Sequence, residues 1–185
     1  MRWGLLLLLA ACGARVEDNS TPTDGGPSPD VTELLDSGID TPDAPRPCTG
    51  GDAAMQAADG SCIVLFNAPL SFAAADAACI AFGARLAILD SAERDATAKV
   101  LAGATGTLFI GLTDQNAEGT FTWVDGTPLV FTNFAAGEPN NANGTFEEDC
   151  GMYSGARAAW DDRPCSNQVA NIGVTPGEYP YLCLF

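Results

Sequence analysis

Six carboxylates and one amide crowd into two short segments of this 185-residue chain: Glu138, Asn140, Glu147, Glu148 and Asp149 in the first, Asp161 and Asp162 in the second. Brought within a few ångströms of one another, such groups repel, and some must stay protonated unless a cation lies among them. Calcium suits the set, as a hard ion that takes roughly six to eight oxygens at about 2.3–2.6 Å. Magnesium suits it less, because it resists dehydration and demands a tight octahedron. Zinc is disfavoured, since the chain has no histidine and structural zinc sites are built from His and Cys. The same absence removes His-based acid/base chemistry and the protease triads. Paired carboxylates also serve glycosidases, but nothing in the sequence marks one acid as a proton donor of raised pKa. The expectation is therefore a binding protein and not an enzyme. Taken alone, a run of acids is more often a solvated face, so the elements around it must decide.

Those elements begin at residue 48. Residues 61–66 read as a short strand. Ser71 can cap a helix in which Phe72, Ala75, Cys79 and Phe82 recur at helical spacing. Residues 85–89 are short and extended, and Ser91 can cap a second helix to about Leu101. Strands are then expected over 108–112, 120–124, 150–153, 158–161 and 179–184. Between the second and third of these five lies a long stretch, 125–149, rich in Gly, Asn, Pro and acid. A loop of that length inside a domain is functional or disordered. Trp123, Trp160 and Phe109 lie in apolar strand patterns and are expected in the core. Phe131, Phe134 and Phe146 sit in or beside the loop.

The rest of the chain places this domain outside the cytoplasm. Arg2 precedes an apolar run over residues 3–11. That run is about half of the ~20 residues needed to cross a bilayer, so it reads as a signal h-region. It ends Leu9-Ala10-Ala11-Cys12, which resembles the lipobox of bacterial lipoproteins. The resemblance implies removal of residues 1–11 and lipidation of Cys12, with an outer-membrane or cell-surface location preferred because Gly13, not Asp, follows. Residues 12–47 read as a tether. From residue 13 on they hold half of the chain's twelve prolines, and eight acids against two arginines. Such a composition cannot bury enough apolar surface to offset its ordering entropy. The chain's net charge of −16 argues against a nucleic-acid partner, whose phosphates call for Lys and Arg. With Cys12 lipidated, six of the seven cysteines are left to pair in an oxidising compartment.

Residues 62–185 resemble a C-type lectin-like domain through six motifs in order. They are Ala78-Cys79, then Gly83-Ala84-Arg85-Leu86, then Phe109-Ile110-Gly111-Leu112 where the family has W-I-G-L. Glu118-Gly119 with Phe121-Thr122-Trp123 follows, then Glu138-Pro139-Asn140, and Trp160-Asp161-Asp162 in place of W-N-D. The resemblance implies an α+β fold of two helices with small antiparallel sheets and a long calcium-binding loop. It pairs Cys79 with Cys183, Cys150 with Cys165, and Cys48 with Cys62. It places calcium on Glu138, Asn140, Glu148, Asp161 and Asp162, with Glu147 as the register alternative to Glu148 and Pro139 in the cis form. An accessory calcium site would use Asp114, Glu118, Asn141 and Asp149.

In sugar-binding members, neighbouring hydroxyls complete the ion's shell and hydrogen-bond the same protein ligands, here Glu138, Asn140, Glu148 and Asp161. The E-P-N order implies mannose-, glucose- or fucose-type sugars. One departure stands out. Asp161 replaces the usual Asn, so two ionised acceptors, Glu148 and Asp161, face one hydroxyl proton. An acceptor left without a donor there would cost about 1–3 kcal/mol. The implied function is calcium-dependent glycan binding by a lipid-anchored surface protein, and the alternative is a lectin-like domain that binds a protein.

Overall fold

A computed structural model describes residues 46–104, 106–141, 147–170, 173–175 and 177–185. The expected signal segment, Cys12, the tether up to residue 45 and Phe146 lie outside the described residues. Twelve elements follow in chain order. β1 (Ala53–Gln56) and β2 (Cys62–Leu70) precede α1 (Phe72–Ala81), β3 (Arg85–Leu86) and α2 (Ala92–Ala102). Then come β4 (Thr107–Thr113), β5 (Thr122–Trp123), β6 (Cys150–Ser154), β7 (Ala159–Arg163), β8 (Gln168–Ala170), β9 (Gly173–Thr175) and β10 (Tyr179–Leu184).

Both helices form where apolar spacing and capping residues place them. α1 buries Phe72, Ala75 and Cys79, one turn apart, while Ser71 at its N-cap makes no side-chain capping bond. α2 has a working cap, the Ser91 hydroxyl accepting from Arg94 N–H at 3.4 Å. Glu93 and Asp95 in its first turn and Lys99 in its last match the helix dipole.

The expected α+β fold of two helices with sheets is present, and most of the strands join one mixed sheet. A single path runs β1-β2-β10-β4-β6-β7, with β3 on β10 and β5 on β4. Every pairing is antiparallel except β10 with β4, which run parallel through Tyr181 and Phe109. The C-terminal strand therefore inserts between the first and second halves of the chain. β8 and β9 form a separate two-stranded ribbon. Past Leu65 strand β1 has ended, so β2 continues to Leu70 along a free edge where Pro69 is tolerated.

Two apolar clusters fill the interior. One is centred on Ile63, Ile110, Leu112, Trp123, Trp160 and Leu182, the other on Phe72, Cys79, Leu86, Phe109, Met152 and Cys183. Trp123 and Trp160 meet edge-to-face at 5.6 Å, and both, like Phe109, are buried as expected. All three implied disulfides are present: Cys48–Cys62, Cys79–Cys183 and Cys150–Cys165. The last ties the start of β6 to the residues just after β7, so the strands that carry the acids are held at one end. In that register Gly151 faces Asp162 and Met152 faces Asp161. A Cβ on Gly151 would fall 2.7 Å from the Leu112 side chain, so β6 lies flat on β4 only with glycine there. Arg46, just before the first disulfide, is bound to the domain. Its guanidinium donates to the carbonyls of Phe82 and Gly83 and lies over the rings of Phe82 and Phe185.

Candidate functional site

Three of the acids that sequence places in one site converge. Glu138, Asp161 and Asp162 each offer a carboxylate oxygen, all within 4.8 Å of one another. The Glu138–Pro139 bond is cis. In the turn that follows, the Asp162 carboxylate accepts Asn140 N–H at 3.1 Å to each oxygen and Asn141 N–H at 2.8 Å. Asp162 is thus both a member of the cluster and the clamp on the Glu138-Pro139-Asn140 turn. Asn140 itself is exposed. Glu148 is buried but stands outside the three-carboxylate group and joins it through Arg163. That guanidinium lies 2.7 Å from Asp161 Oδ2 and 3.5 Å from Glu148 Oε1.

A second group forms from Glu118, Glu147 and Asp149, again within 4.8 Å. Asn141 joins it by donating its amide hydrogens to Glu118 at 2.9 Å and Glu147 at 2.8 Å, while its oxygen accepts Glu148 N–H. Asp114 borders the group: its N–H donates to Asp149 O and its Oδ2 accepts Gly119 N–H at 2.8 Å. Glu147 therefore lies with Glu118 and Asp149 and not with Glu138, Asp161 and Asp162.

The electrostatics are those of acids held together against their preference. Burial pushes the Asp161 carboxyl up, with Glu138 and Asp162 adding to the rise and the two nearby arginines opposing it. Burial also raises Asp114, with Asp162 and Glu147 contributing. Asp149 is raised by burial and then by Asp114 and Glu147. One oxygen in each place is buried with no hydrogen-bond partner among the described residues, Glu138 Oε2 and Asp114 Oδ1. Hard oxygen donors, clustered, partly desolvated and short of protons to accept, fit a calcium ion.

Three participants escape the sequence reading. Arg157 Nη1 donates to Glu138 Oε1 at 2.7 Å and lies 3.4 Å from Asp161 Oδ2, and Arg163 binds Asp161 from the other side. The signal was present, since these are the only basic residues after Lys99. Asp95 on α2 is the third. It accepts Trp160 Nε1–H at 2.7 Å and an Asn133 amide hydrogen at 2.9 Å, fixing the residue that precedes Asp161. Phe131 and Phe134 pack edge-on against Trp160.

The family model described as "Lectin C-type domain" matches residues 68–172. The human CD209 antigen is 35% identical over 111 residues, covering 58% of this chain and 26% of that protein. The chain spans between about a quarter and less than half of the length of such relatives. The C-type carbohydrate-recognition domain of cow CD23, solved in the presence of a GlcNAc2Man3 oligosaccharide, superposes with a TM-score of 0.59 at 27% identity, over 75% of this chain and 97% of that one. A calcium-independent type II antifreeze protein shares the fold at a TM-score of 0.59 and 20% identity, over 77% of this chain and 98% of its own.

Proposed function

Because this chain belongs to the C-type lectin domain family, we propose that it binds carbohydrate through calcium held on Glu138, Asn140, Glu148, Asp161 and Asp162. The observation that carries the reading is Glu138 Oε2, a buried carboxylate oxygen without a partner among the described residues, in a group of three clustered acids. A second ion would rest on Asp114, Glu118, Asn141 and Asp149, joined there by Glu147. Calcium, when bound, offers coordination to two neighbouring hydroxyls of a sugar. The protein's part is to hold the turn at Pro139 by the Asp162 clamp and to present Glu138 and Asn140 as an acceptor and donor pair to one hydroxyl. The Glu138-Pro139-Asn140 order supports a mannose-, glucose- or fucose-type sugar.

The domain's place in the cell completes the proposal. Residues 1–11 direct export, Cys12 carries lipid, and residues 12–47 hold the domain away from a bacterial outer membrane or cell surface. Two or more acyl chains anchor firmly where one is marginal. Among the described residues no helix is long and apolar enough to cross a membrane. The partners are glycans or glycosylated surfaces, with no nucleic acid.

One observation favours a second reading, a protein-binding domain that needs no ion. Arg157 and Arg163 already lie against Glu138, Asp161 and Glu148, so the cluster is partly neutralised from within. A glycan array probed in calcium and again in chelator separates the two. Calcium-dependent binding of mannose-type glycans is the expected result. Binding to no glycan in calcium would remove the lectin reading and leave the second.

A further inference from the structure

Arg157 and Arg163 change what the site asks of a ligand. The two guanidiniums converge on Asp161 Oδ2, at 3.4 and 2.7 Å, and reach on to Glu138 Oε1 at 2.7 Å and Glu148 Oε1 at 3.5 Å. The three carboxylates that would accept the protons of a sugar's hydroxyls are thus linked through cationic donors. A guanidinium has five N–H donors and no acceptor. A hydroxyl proton finds nothing on it, whereas an acceptor-only group such as a carboxylate or sulfate meets a matching fork.

Arg157 can keep this position while an ion is bound. It uses Glu138 Oε1, and the other oxygen, Oε2, is the one buried without a partner. Among the described residues only Nη1 of Arg157 is engaged, and 46% of its side chain is exposed. Nε and Nη2 are therefore free to donate outward. Arg157 also forms one wall of an open cleft of about 550 Å³ with Asn133, Phe134, Ala136 and Ala158, within the ~300–1,000 Å³ range of small-ligand sites. The cleft adjoins Glu138 through this arginine. The local charge permits an anion despite the chain's overall −16. Glu138, Glu148, Asp161 and Asp162 are balanced by one divalent ion and the two arginines.

We propose that the ligand is an acidic glycan, whose sugar hydroxyls meet the ion while a carboxylate or sulfate on the same or the next residue is taken by Arg157. The inference rests on the calcium-lectin reading above. It also gives the Asp161 replacement a role, since that carboxylate seats the two guanidiniums.

The test compares three probes on the full disulfide-bonded protein in saturating calcium: methyl α-mannopyranoside, the corresponding methyl mannosiduronate, and the mannoside 6-sulfate. All three keep the same ring hydroxyls at C2, C3 and C4. One or both acidic probes are expected to bind about tenfold more tightly than the neutral one at low salt, and which of them does so identifies the anion. The preference should shrink in about 0.5 M salt, where the screening length is only a few ångströms. Arg157→Gln should bring the ratio of affinities close to one, with Arg157→Lys intermediate. Calcium affinity in Arg157→Gln should rise, because a competing cation has left Glu138 and Asp161. Arg85→Gln, an exposed charge paired with Asp76, is the charge-matched control and should keep the preference. Equal affinity for all three probes in the native protein would overturn the acidic-glycan inference and leave calcium-dependent sugar binding intact. So would a preference that survives Arg157→Gln, which would assign it to the ion alone. Failure of all three to bind while calcium binds would remove the lectin reading itself.

Discussion

Replacing Asp162 with alanine separates the work of holding the loop from the work of holding an ion. Its carboxylate accepts the N–H groups of Asn140 and Asn141 while lying within 4.8 Å of oxygens of Glu138 and Asp161. In chelator the substitution strands two backbone donors, at about 1–3 kcal/mol each. It also removes like-charge repulsion, worth about 3 kcal/mol or more for one pair within 4.8 Å at an effective dielectric constant of ~20. The two partly offset, and the metal-free protein should change in stability by between a gain of about 1 and a loss of about 3 kcal/mol. In calcium the native protein at a hundred times its Kd gains about 2.7 kcal/mol that a non-binding variant lacks. The destabilisation should therefore grow by about 3 kcal/mol between chelator and saturating calcium. Urea unfolding of the disulfide-bonded native and Asp162→Ala proteins in both conditions measures it. An equal destabilisation in the two would refute the coupling of Asp162 to an ion.

The raised carboxyls give an unusual pH dependence. Asp95, Asp114, Asp149 and Asp161 all stand above their ordinary value of 3.8, so the metal-free folded state binds more protons than the unfolded state just above that pH. Stability in chelator should then increase as pH falls from 7 into that window. In calcium it should fall, as protons compete with the ion, and thermal melts from pH 7 to 4.5 that slope the same way with and without calcium would contradict this. The lowered groups Asp59 and Asp125 act below the window and do not reverse it. Asp95→Ala should cost about 1–3 kcal/mol, by leaving Trp160 Nε1–H buried without an acceptor. It should also weaken calcium binding through the strand that carries Asp161, and unaltered calcium binding would confine Asp95 to packing. Asp161→Asn restores an amide donor at the second hydroxyl and should raise affinity for a neutral mannoside by about five- to tenfold or more. Unchanged or weaker binding would mean that hydroxyl is arranged differently.

The parts of this protein that were legible in its sequence are those where one residue has few alternatives. Glu138-Pro139-Asn140 and Trp160-Asp161-Asp162 stand out because their order carries the chemistry, and the cysteines because each needs one partner. Both helices were legible from spacing around Cys79 and from Ser91. β1 was not. Ala53-Ala54-Met55-Gln56 has little strand preference of its own and is extended because Cys62–Leu65 offers it a ladder beside the Cys48–Cys62 bridge. The parallel contact of β10 with β4 was equally hidden, since no local pattern reports which strands become neighbours after a 70-residue separation. Arg157 and Arg163 carry no spacing signal that distinguishes them from solvated surface charge. Only the fold shows that both reach Asp161. The nearness of Glu147 to Glu118 likewise depends on Asn141, whose single amide touches both at once.

The central claim is that these acids hold calcium, and a calorimetric calcium titration of chelator-treated native and Glu138→Gln proteins tests it most directly. Two ions per native chain are expected, with one of them lost in Glu138→Gln while the Asp114–Glu118–Asp149 site is retained. No saturable binding up to millimolar calcium, or identical titrations for the two proteins, would contradict the account.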